Sequence, residues 1–272
     1  MTNEAVSRGN WDPGQYGRFR DERSRPFYDL AALVQPKPGM RVVDLGCGTG
    51  ELTAWLHGEL QAAETVGVDS SDPMLEKAAA FARPGLRFDR EDIRLAPARY
   101  PEGFDLLFSN AALQWVTGHE TLFAELVKLV RPGGQIAVQM PANQGVPHRL
   151  TAEVAQQEPF ATALGGWVRE DPVRDAVFYS RLLNDFGFIE QHVRLQIYPH
   201  VMESTHGAVE WLKGSLLTAY QARIPGDLWP RYLKAYEAAL LAIEGDRRPY
   251  FFPFPRVLLW GRRPDSGGLA RL

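Results

Sequence analysis

The stretch DLGCGTG, residues 44–50, decides the fold of this chain. A mostly apolar run at residues 40–43 precedes it, and apolar residues at helical spacing follow it at residues 52–60. Glycine lets the backbone turn sharply and leaves room for a ligand against the main chain, and the first residues of a helix offer free N–H groups. The pattern therefore predicts a strand, a glycine turn and a helix, which together open a nucleotide-type α/β domain.

One residue of this stretch, Asp44, separates two classes of ligand. Its carboxylate stands at the end of the predicted strand, just before Gly46 and Gly48 of the turn. A carboxylate there repels the pyrophosphate of a dinucleotide but attracts a ligand that carries an ammonium and a sulfonium, as S-adenosylmethionine does. We therefore predict that Asp44, Gly46 and Gly48 belong to an S-adenosylmethionine site. The alternative is an ordinary strand-to-helix turn with a capping role.

Two further predicted strands lead to carboxylates. The strand at residues 65–69 ends on Asp69, which can accept hydrogen bonds from both hydroxyls of a ribose. The short strand at 86–88 is followed by Asp92, which can accept the adenine amino proton while Ile93 flanks the ring. For Asp92, a surface acidic loop is the alternative.

The residues that follow these strands complete the predicted cofactor site. Ser70 begins the cap of the next helix, and Met74 either lies against the adenine or belongs to the core. Asn110 and Gln114 follow the buried strand at 104–108, at the edge where α/β sheets bind their ligands. Both are therefore in position to meet either the cofactor or the methyl acceptor, and we assign Asn110 to the cofactor and Gln114 to the methyl acceptor.

Three more residues are predicted to meet the methyl acceptor. Trp115 either forms a wall of the pocket or belongs to the core, and Arg256 begins the last strand, close to the expected cleft. A carboxylate acceptor is ionised at neutral pH and needs no base, whereas a neutral hydroxyl or carbon acid needs one, for which His148 is the candidate. A histidine on a polar loop is the alternative for His148. The other cationic candidates for holding an acid are Arg20, Arg149, Arg223, Arg247 and Arg248.

Composition narrows the class of protein. The chain has 272 residues, 45% of them hydrophobic, which suits one large domain or one domain with a helical cap. The net charge of -3 gives no overall basic field for nucleic acid. Cys47 is the only cysteine of the sequence, so an intrachain disulfide is excluded. We expect a cytoplasmic protein that acts on a small molecule without metal, nucleic acid or membrane, as a monomer or weak homodimer.

The chain resembles the class I S-adenosylmethionine-dependent methyltransferases, and within them the trans-aconitate methyltransferase group, from about residue 11 to residue 263. The glycine motif is common to the superfamily, whereas the opening segment and the NAALQW and MPAN segments are narrower. The matching segments are WDPGQYGRF…ERSRP, DLGCGTG, VGVDSSDPMLEKA, SNAALQWV, VQMPAN, VEWLKG and FPRVLLWGRR. The resemblance implies that the cofactor is held by Gly46 and its neighbours, Asp69, Asp92, Ile93 and Asn110, under a cover that contains Tyr16 and Arg20.

The resemblance also implies a fold and a division of the chain. We expect a Rossmann-like sheet of seven strands, mostly parallel with an antiparallel edge pair, plus a helical cap. Within it, the helix after the long connection is expected at 171–186, strands six and seven at 189–198 and 256–262, and His119 exposed at a helix start. The predicted divisions are an N-terminal helical segment at 1–35 covering the cofactor, a methyltransferase core at 36–202 and 251–263, a helical cap at 203–250, and a flexible tail at 264–272.

The implied activity is methyl esterification of a carboxylic acid such as trans-aconitate. One residue departs from that group, because Thr218 stands where its members tend to carry an arginine after the tryptophan-containing cap helix. The alternatives are an O- or C-methyltransferase of a hydrophobic small molecule, an NAD(P)-linked oxidoreductase and a cofactor-binding module without catalysis. Asp44 and the antiparallel strand pair argue against the oxidoreductase.

Overall fold

The computed structural model describes residues 24–142, 145–214 and 216–265. Tyr16, Arg20, most of the predicted N-terminal segment and residues 266–272 of the predicted tail lie outside these ranges. The strands are β1 (Arg41–Leu45), β2 (Glu64–Asp69), β3 (Leu86–Arg90), β4 (Phe104–Asn110), β5 (Val130–Pro141), β6 (Glu190–Met202) and β7 (Tyr250–Arg262). The helices are α1 (Arg25–Ala31), α2 (Glu51–Glu59), α3 (Asp72–Ala78), α4 (Ala96–Arg99), α5 (His119–Leu126), α6 (Val146–Ala155), α7 (Phe160–Ala163), α8 (Ala176–Asp185), α9 (Thr205–Lys213), α10 (Thr218–Gln221) and α11 (Trp229–Glu244).

The seven strands form one sheet in the order β3-β2-β1-β4-β5-β7-β6. Strands β1 to β5 pair in parallel, and β7 pairs antiparallel with both β5 and β6. This confirms the predicted mostly parallel sheet with an antiparallel pair at its edge. The chain runs from β1 outward to β3 and returns past β1 to β4, so the strand order reverses between β1 and β4. Ligands of open α/β sheets bind at such a reversal, beyond the carboxyl ends of the strands.

The sheet is covered on both faces, as its nearly continuous apolar strands require. Val42 and Phe108 face one core, which also contains Leu212 and Tyr232 of the cap helices α9 and α11. Val43, Leu45 and Leu107 face the other core, which includes residues of α5 and α8. All these strand residues are fully buried. The cap helices are therefore part of the packing on one face of the sheet.

The glycine turn brings the ends of three strands together. Gly46 has φ +80°, and its N–H donates a hydrogen bond of 2.7 Å to the carbonyl of Val68 on β2. A Cβ added at Gly46 would lie 2.2 Å from the Cβ of Ala112, which follows β4, and 3.9 Å from the Cδ1 of Ile93, which follows β3. Only a residue without a side chain fits here, so Gly46 sets how closely the strand ends approach one another.

Three predicted element bounds were wrong. The helix expected at 171–186 begins only at Ala176, because the Asp175 side chain caps it by accepting a hydrogen bond from the N–H of Phe178. The last two strands extend well past 189–198 and 256–262. They pair with each other from Glu190 and Arg262 to Met202 and Tyr250, a pairing that keeps even the proline-rich stretch at 253–255 extended.

Replacing Gly46 with alanine destabilises the fold more than the same change at Gly48. Both glycines have positive φ, +80° and +56°, which costs an L-residue about 1–2 kcal/mol. Only at Gly46 does the new methyl group also collide with a neighbour, which adds about 1–3 kcal/mol, since nothing lies within 4 Å at Gly48. Urea unfolding of Gly46→Ala and Gly48→Ala measures the difference, and equal losses would contradict it.

Candidate active site

Asp44 is a buried carboxylate at the end of β1, only 2% exposed. The hydroxyl of Thr53 on α2 donates a hydrogen bond of 2.5 Å to its Oδ2. Burial raises the pKa of Asp44 to about 7, and the nearby charge of Asp69 adds a smaller increase, while the Thr53 hydrogen bond acts in the opposite direction. A cation bound nearby stabilises the ionised form of such a group. Its direct contact with a cofactor stays a prediction.

Asp69 joins the glycine turn to the end of β2. Its Oδ2 accepts a hydrogen bond of 2.9 Å from the N–H of Gly48, and its Oδ1 accepts one of 2.9 Å from the N–H of Ser71. Each carboxylate oxygen has a second lone pair, so Asp69 can still accept hydrogen bonds from the two hydroxyls of a ribose. The same side chain therefore holds the turn in shape and offers the acceptors that were predicted for it.

The adenine side of the predicted site is more loosely built. Asp92 lies after β3 and accepts hydrogen bonds from the N–H and the guanidinium of Arg94, which keeps the pKa of its carboxyl below the usual range. Ile93 is half-buried and packs towards Gly46. Met74 and Ser70 are exposed, so the core interpretation of Met74 is wrong. An adenine amino group would have to share Asp92 with Arg94.

Two buried acceptors lie at the end of β4. Within the described ranges, the Oδ1 of Asn110 and the Oε1 of Gln114 have no hydrogen-bond partner, although the Nε2 of Gln114 donates to the carbonyl of Ala111 at 2.7 Å. A buried polar atom without a partner costs about 1–3 kcal/mol. Ala111, between them, holds a φ of +54°, which is uncommon for a residue other than glycine. Unpaired acceptors beside a strained backbone fit a ligand that carries an ammonium group.

A cavity of about 360 Å³ opens beside these acceptors, a size typical of small-molecule sites. All four residues that were predicted to meet the methyl acceptor contribute to its walls, so the structure brings them together. Its lining consists of Ala111, Gln114, Trp115, Pro141, His148, Arg169, Trp211, Leu212, Gly214, Leu216, Phe254 and Arg256. The roles of these residues stay predictions.

Arg256 is a buried cation, 8% exposed, in this cavity. Its guanidinium carbon lies 4.2 Å from the centroid of the Phe254 ring, and its Nη1 donates a long hydrogen bond of 3.4 Å to the Oε1 of Gln139. Its Nε has no hydrogen-bond partner, and Arg256 forms no ion pair with any residue that the structure describes. Burial lowers the pKa of Arg256 to about 10. A buried charge is costly unless it is paired, so the site suits an anionic ligand.

His148 enters the cavity from α6. Burial lowers the pKa of His148 to about 4, and the positive charge of Arg169 lowers it further in the same direction. Its imidazole is therefore neutral at pH 7 and only weakly basic. The cap holds α6 in place, because the hydroxyl of Tyr236 donates a hydrogen bond of 3.0 Å to the carbonyl of Pro147.

Trp115 is 62% exposed and forms part of the cavity wall, so it is not a core residue.

His119, which the sequence placed on the surface, is only 1% exposed, and that prediction was wrong. Its Nε2 lies 3.1 Å from the carbonyl of Leu113, and its Nδ1 lies 2.5 Å from the hydroxyl of Tyr179 on α8. His119 therefore anchors the turn at 113–115 that carries Gln114 and Trp115.

The sequence missed one cation of the cavity, Arg169. It lies in an irregular connection between α7 and α8, where no periodic pattern singles it out.

Thr218 is exposed and lies outside the cavity lining. Four of the arginines proposed to hold an acid are also exposed and away from that lining: Arg149, Arg223, Arg247 and Arg248.

His, Cys, Asp and Glu side chains of the described ranges form no group of three or more that could hold a metal ion. Among the helices of the described residues, none combines the length and the apolar character needed to cross a membrane.

Comparison with known proteins gives the same fold. Residues 42–134 match the model of a methyltransferase domain family. The trans-aconitate 2-methyltransferase of Deinococcus radiodurans is 42% identical over 262 residues, covering 94% of this chain and 99% of that protein. The enzyme of the same name from Azoarcus sp. is 39% identical over 252 residues, covering 92% of this chain and 97% of that protein.

Solved structures resemble the chain at lower identity. The YcgJ protein of Bacillus subtilis has a TM-score of 0.58 at 15% identity and covers 89% of this chain and 99% of its own. The phosphoethanolamine N-methyltransferase 2 of Haemonchus contortus, solved with S-adenosyl-L-methionine, has a TM-score of 0.54 at 18% identity and covers 89% of this chain and 53% of its own. At these identities the structural likeness supports the fold alone.

Replacing Asp44 with asparagine should stabilise the protein at pH 8 relative to the wild type, and much less at pH 5. Between the ordinary carboxyl pKa near 3.8 and the folded value of about 7, the folded state keeps a proton that the unfolded state has lost. The stability of the wild type therefore falls as pH rises through this window, by an amount on the order of 4 kcal/mol in total. Asparagine does not ionise and removes this loss.

Urea unfolding at pH 5 and pH 8 checks this prediction. Thr53→Val is the matched control, because removing the hydroxyl that stabilises the Asp44 carboxylate should make the loss of stability with pH steeper. If Asp44→Asn and the wild type show the same pH dependence, the buried carboxylate is not the titrating group.

Proposed function

This chain belongs to the trans-aconitate 2-methyltransferase family, and from that premise we propose that it esterifies one carboxyl group of trans-aconitate. The protein is an S-adenosylmethionine-dependent methyltransferase, and S-adenosyl-L-methionine is its cofactor. What we propose is the identity of the methyl acceptor. The cavity described above supports an acceptor that is a small molecule with several carboxylates.

The observation that carries this proposal is the buried guanidinium of Arg256. A cation that has been taken out of water and has no acidic partner is unfavourable by itself. A substrate carboxylate in the cavity supplies the missing partner, and a planar guanidinium can donate two parallel hydrogen bonds to it. A hydrophobic phenol would leave the charge of Arg256 unpaired.

The cofactor fits the residues at the strand ends. We propose that Asp69 accepts hydrogen bonds from the ribose hydroxyls and that Asn110 accepts from the ammonium. Gln114, which the sequence placed beside the methyl acceptor, is here assigned to the ammonium as well, because its Oε1 also has no hydrogen-bond partner among the described residues. A Cβ at Gly48 would meet nothing within 4 Å, so the glycine turn leaves open space there, and we propose that the ligand lies against it. Asp92 and Ile93 are proposed for the adenine.

When bound, S-adenosylmethionine supplies a methyl group that is activated by a positively charged sulfur. The protein's part is to hold an ionised carboxylate in line with that methyl group, and such positioning accounts for much of the rate of a displacement. A carboxylate needs no general base, and His148, with a pKa near 4, is suited to donating a hydrogen bond rather than to removing a proton. Trp211 and Phe254 contribute apolar surface to the wall of the cavity.

We also propose the division of the chain and the setting in which it works. Residues 36–202 and 251–263 form the catalytic core, 203–250 the cap, and 1–35 a cover that includes Tyr16 and Arg20. The protein is proposed to be a cytoplasmic monomer or weak homodimer without a nucleic-acid or membrane partner. The net charge of -3 and the single cysteine support this setting.

Replacing Asp69 with alanine should weaken the binding of S-adenosylhomocysteine by about 10- to 100-fold, the equivalent of one or two hydrogen bonds to a charged group. Titration calorimetry measures the affinity. Because Asp69 also receives the N–H groups of Gly48 and Ser71, Asp69→Asn, which keeps one oxygen, separates ligand contact from the shape of the turn. Asp72→Ala, at an exposed ion pair with Arg90, is the control. Unchanged affinity in both Asp69 variants would refute the ribose contact.

Replacing Arg256 with glutamine should raise the KM for trans-aconitate by about 10- to 100-fold, because a charge-assisted hydrogen-bonded pair is lost. The affinity for S-adenosylhomocysteine should not change. Mass spectrometry of the methyl ester, which alkali hydrolyses, gives the rates. Arg262→Gln is the control on the same strand, since Arg262 pairs with Glu190 rather than with a substrate. A wild-type protein that methylates phenols but no carboxylic acid would overturn the proposed function.

A further inference from the structure

The acceptor cavity contains a second cation, Arg169, in addition to Arg256. Neither guanidinium forms an ion pair within the part of the chain that the structure describes. Among the residues that the structure describes, twelve line the cavity, and none of them is an aspartate or glutamate. These twelve residues carry two positive charges and no negative charge, so one bound carboxylate leaves a full positive charge unmatched.

The guanidinium of Arg169 is held in a defined place. Its central carbon lies 5.1 Å from the centroid of the exposed Trp115 ring. Stacking on the indole fixes the plane of the guanidinium while its N–H groups stay free to donate at the edge. Its charge reaches the interior of the cavity, since it contributes to lowering the pKa of His148.

A chain of hydrogen bonds joins the connection that carries Arg169 to the turn that carries Trp115. The hydroxyl of Tyr179 accepts a hydrogen bond of 3.1 Å from the backbone N–H of Arg174 and lies 2.5 Å from the Nδ1 of His119. The Nε2 of His119 lies 3.1 Å from the carbonyl of Leu113, in the turn that ends at Trp115. The connection that carries Arg169 and the turn that carries Trp115 therefore meet at one network.

We propose that Arg169 is a specificity-determining residue that binds a second carboxylate of the acceptor, so that acids with two or more carboxylates are selected over monocarboxylic acids. The inference rests on the proposed esterification and assigns the selection to one side chain. A monocarboxylic acid meets Arg256 and leaves Arg169 without a partner. A polycarboxylic acid matches both charges, and each match is a charge-assisted hydrogen-bonded pair.

The test compares kcat/KM for trans-aconitate and for crotonate, which shares the carbon–carbon double bond but has one carboxylate. In the wild type, we expect a strong preference for trans-aconitate. Arg169→Gln should reduce kcat/KM for trans-aconitate by about 10- to 100-fold through KM and change that for crotonate by less than about threefold. Arg169→Lys, which keeps the charge without the fork, should recover part of the preference.

Arg174→Gln is the matched control, because the exposed side chain of Arg174 stacks on Phe178 outside the cavity, and the substitution keeps the backbone N–H that donates to Tyr179. Its ratio of kcat/KM values should equal that of the wild type. If the wild type methylates trans-aconitate but Arg169→Gln keeps the wild-type ratio, or loses both activities equally, the inference is wrong and the proposed function stands. A wild type that methylates no carboxylic acid overturns the proposed function and this inference with it.

Discussion

The close approach of the β1 and β4 ends, which Gly46 permits, is the constraint on which the site depends. With any side chain at Gly46, a Cβ would stand 2.2 Å from the Cβ of Ala112 and the two strand ends would have to separate. Their contact places Asp44 and Asp69 on one side of the strand-order reversal and Asn110 and Gln114 on the other. The cofactor site and the acceptor cavity are neighbours because these four residues follow strands that touch.

The resulting cleft divides its charges. The strand ends offer oxygen atoms: the carboxylates of Asp44 and Asp69 and the unpaired amide oxygens of Asn110 and Gln114. The cavity beyond them offers guanidinium groups and an imidazole that burial keeps neutral. The oxygen atoms at the strand ends thus attract a cationic cofactor, and the guanidinium groups of the cavity attract an anionic acceptor. The transfer of an activated methyl group to a carboxylate needs no proton transfer.

The sequence predicted the parts that local patterns encode. The strand–turn–helix at DLGCGTG follows from an apolar run and turn residues, and the seven-stranded sheet with its antiparallel edge pair was expected from the family resemblance; the structure has both. Gln114, Trp115, His148 and Arg256 were named from their places after strands or connections, and they line one cavity. The prediction for Gln114 needed only the rule that ligands bind beyond the carboxyl ends of the strands.

The features that the sequence failed to predict share one physical cause, which is contact between residues distant in sequence. His119 reads as an exposed residue at a helix start, but Tyr179, distant in sequence, buries it and shares a hydrogen bond with it. Arg169 lies in a connection without periodicity, where its backbone N–H donates a hydrogen bond of 3.2 Å to the hydroxyl of the distant Tyr220 and its guanidinium lies over Trp115. The lengths of β6 and β7 likewise depend on their pairing with each other, because prolines at 253–255 mark a loop in sequence.

The central claim is that the strand ends bind the cofactor and the cavity binds the acid. A crystal structure of the protein with S-adenosylhomocysteine and the tricarboxylate tricarballylate bound together tests this claim most directly. The ribose hydroxyls should lie on the Asp69 carboxylate, the ammonium near Asn110 and Gln114, and one carboxylate of the acid on Arg256. A nucleoside bound away from the glycine turn, or a tricarboxylate that leaves Arg256 unpaired, would contradict the assignment of the two parts.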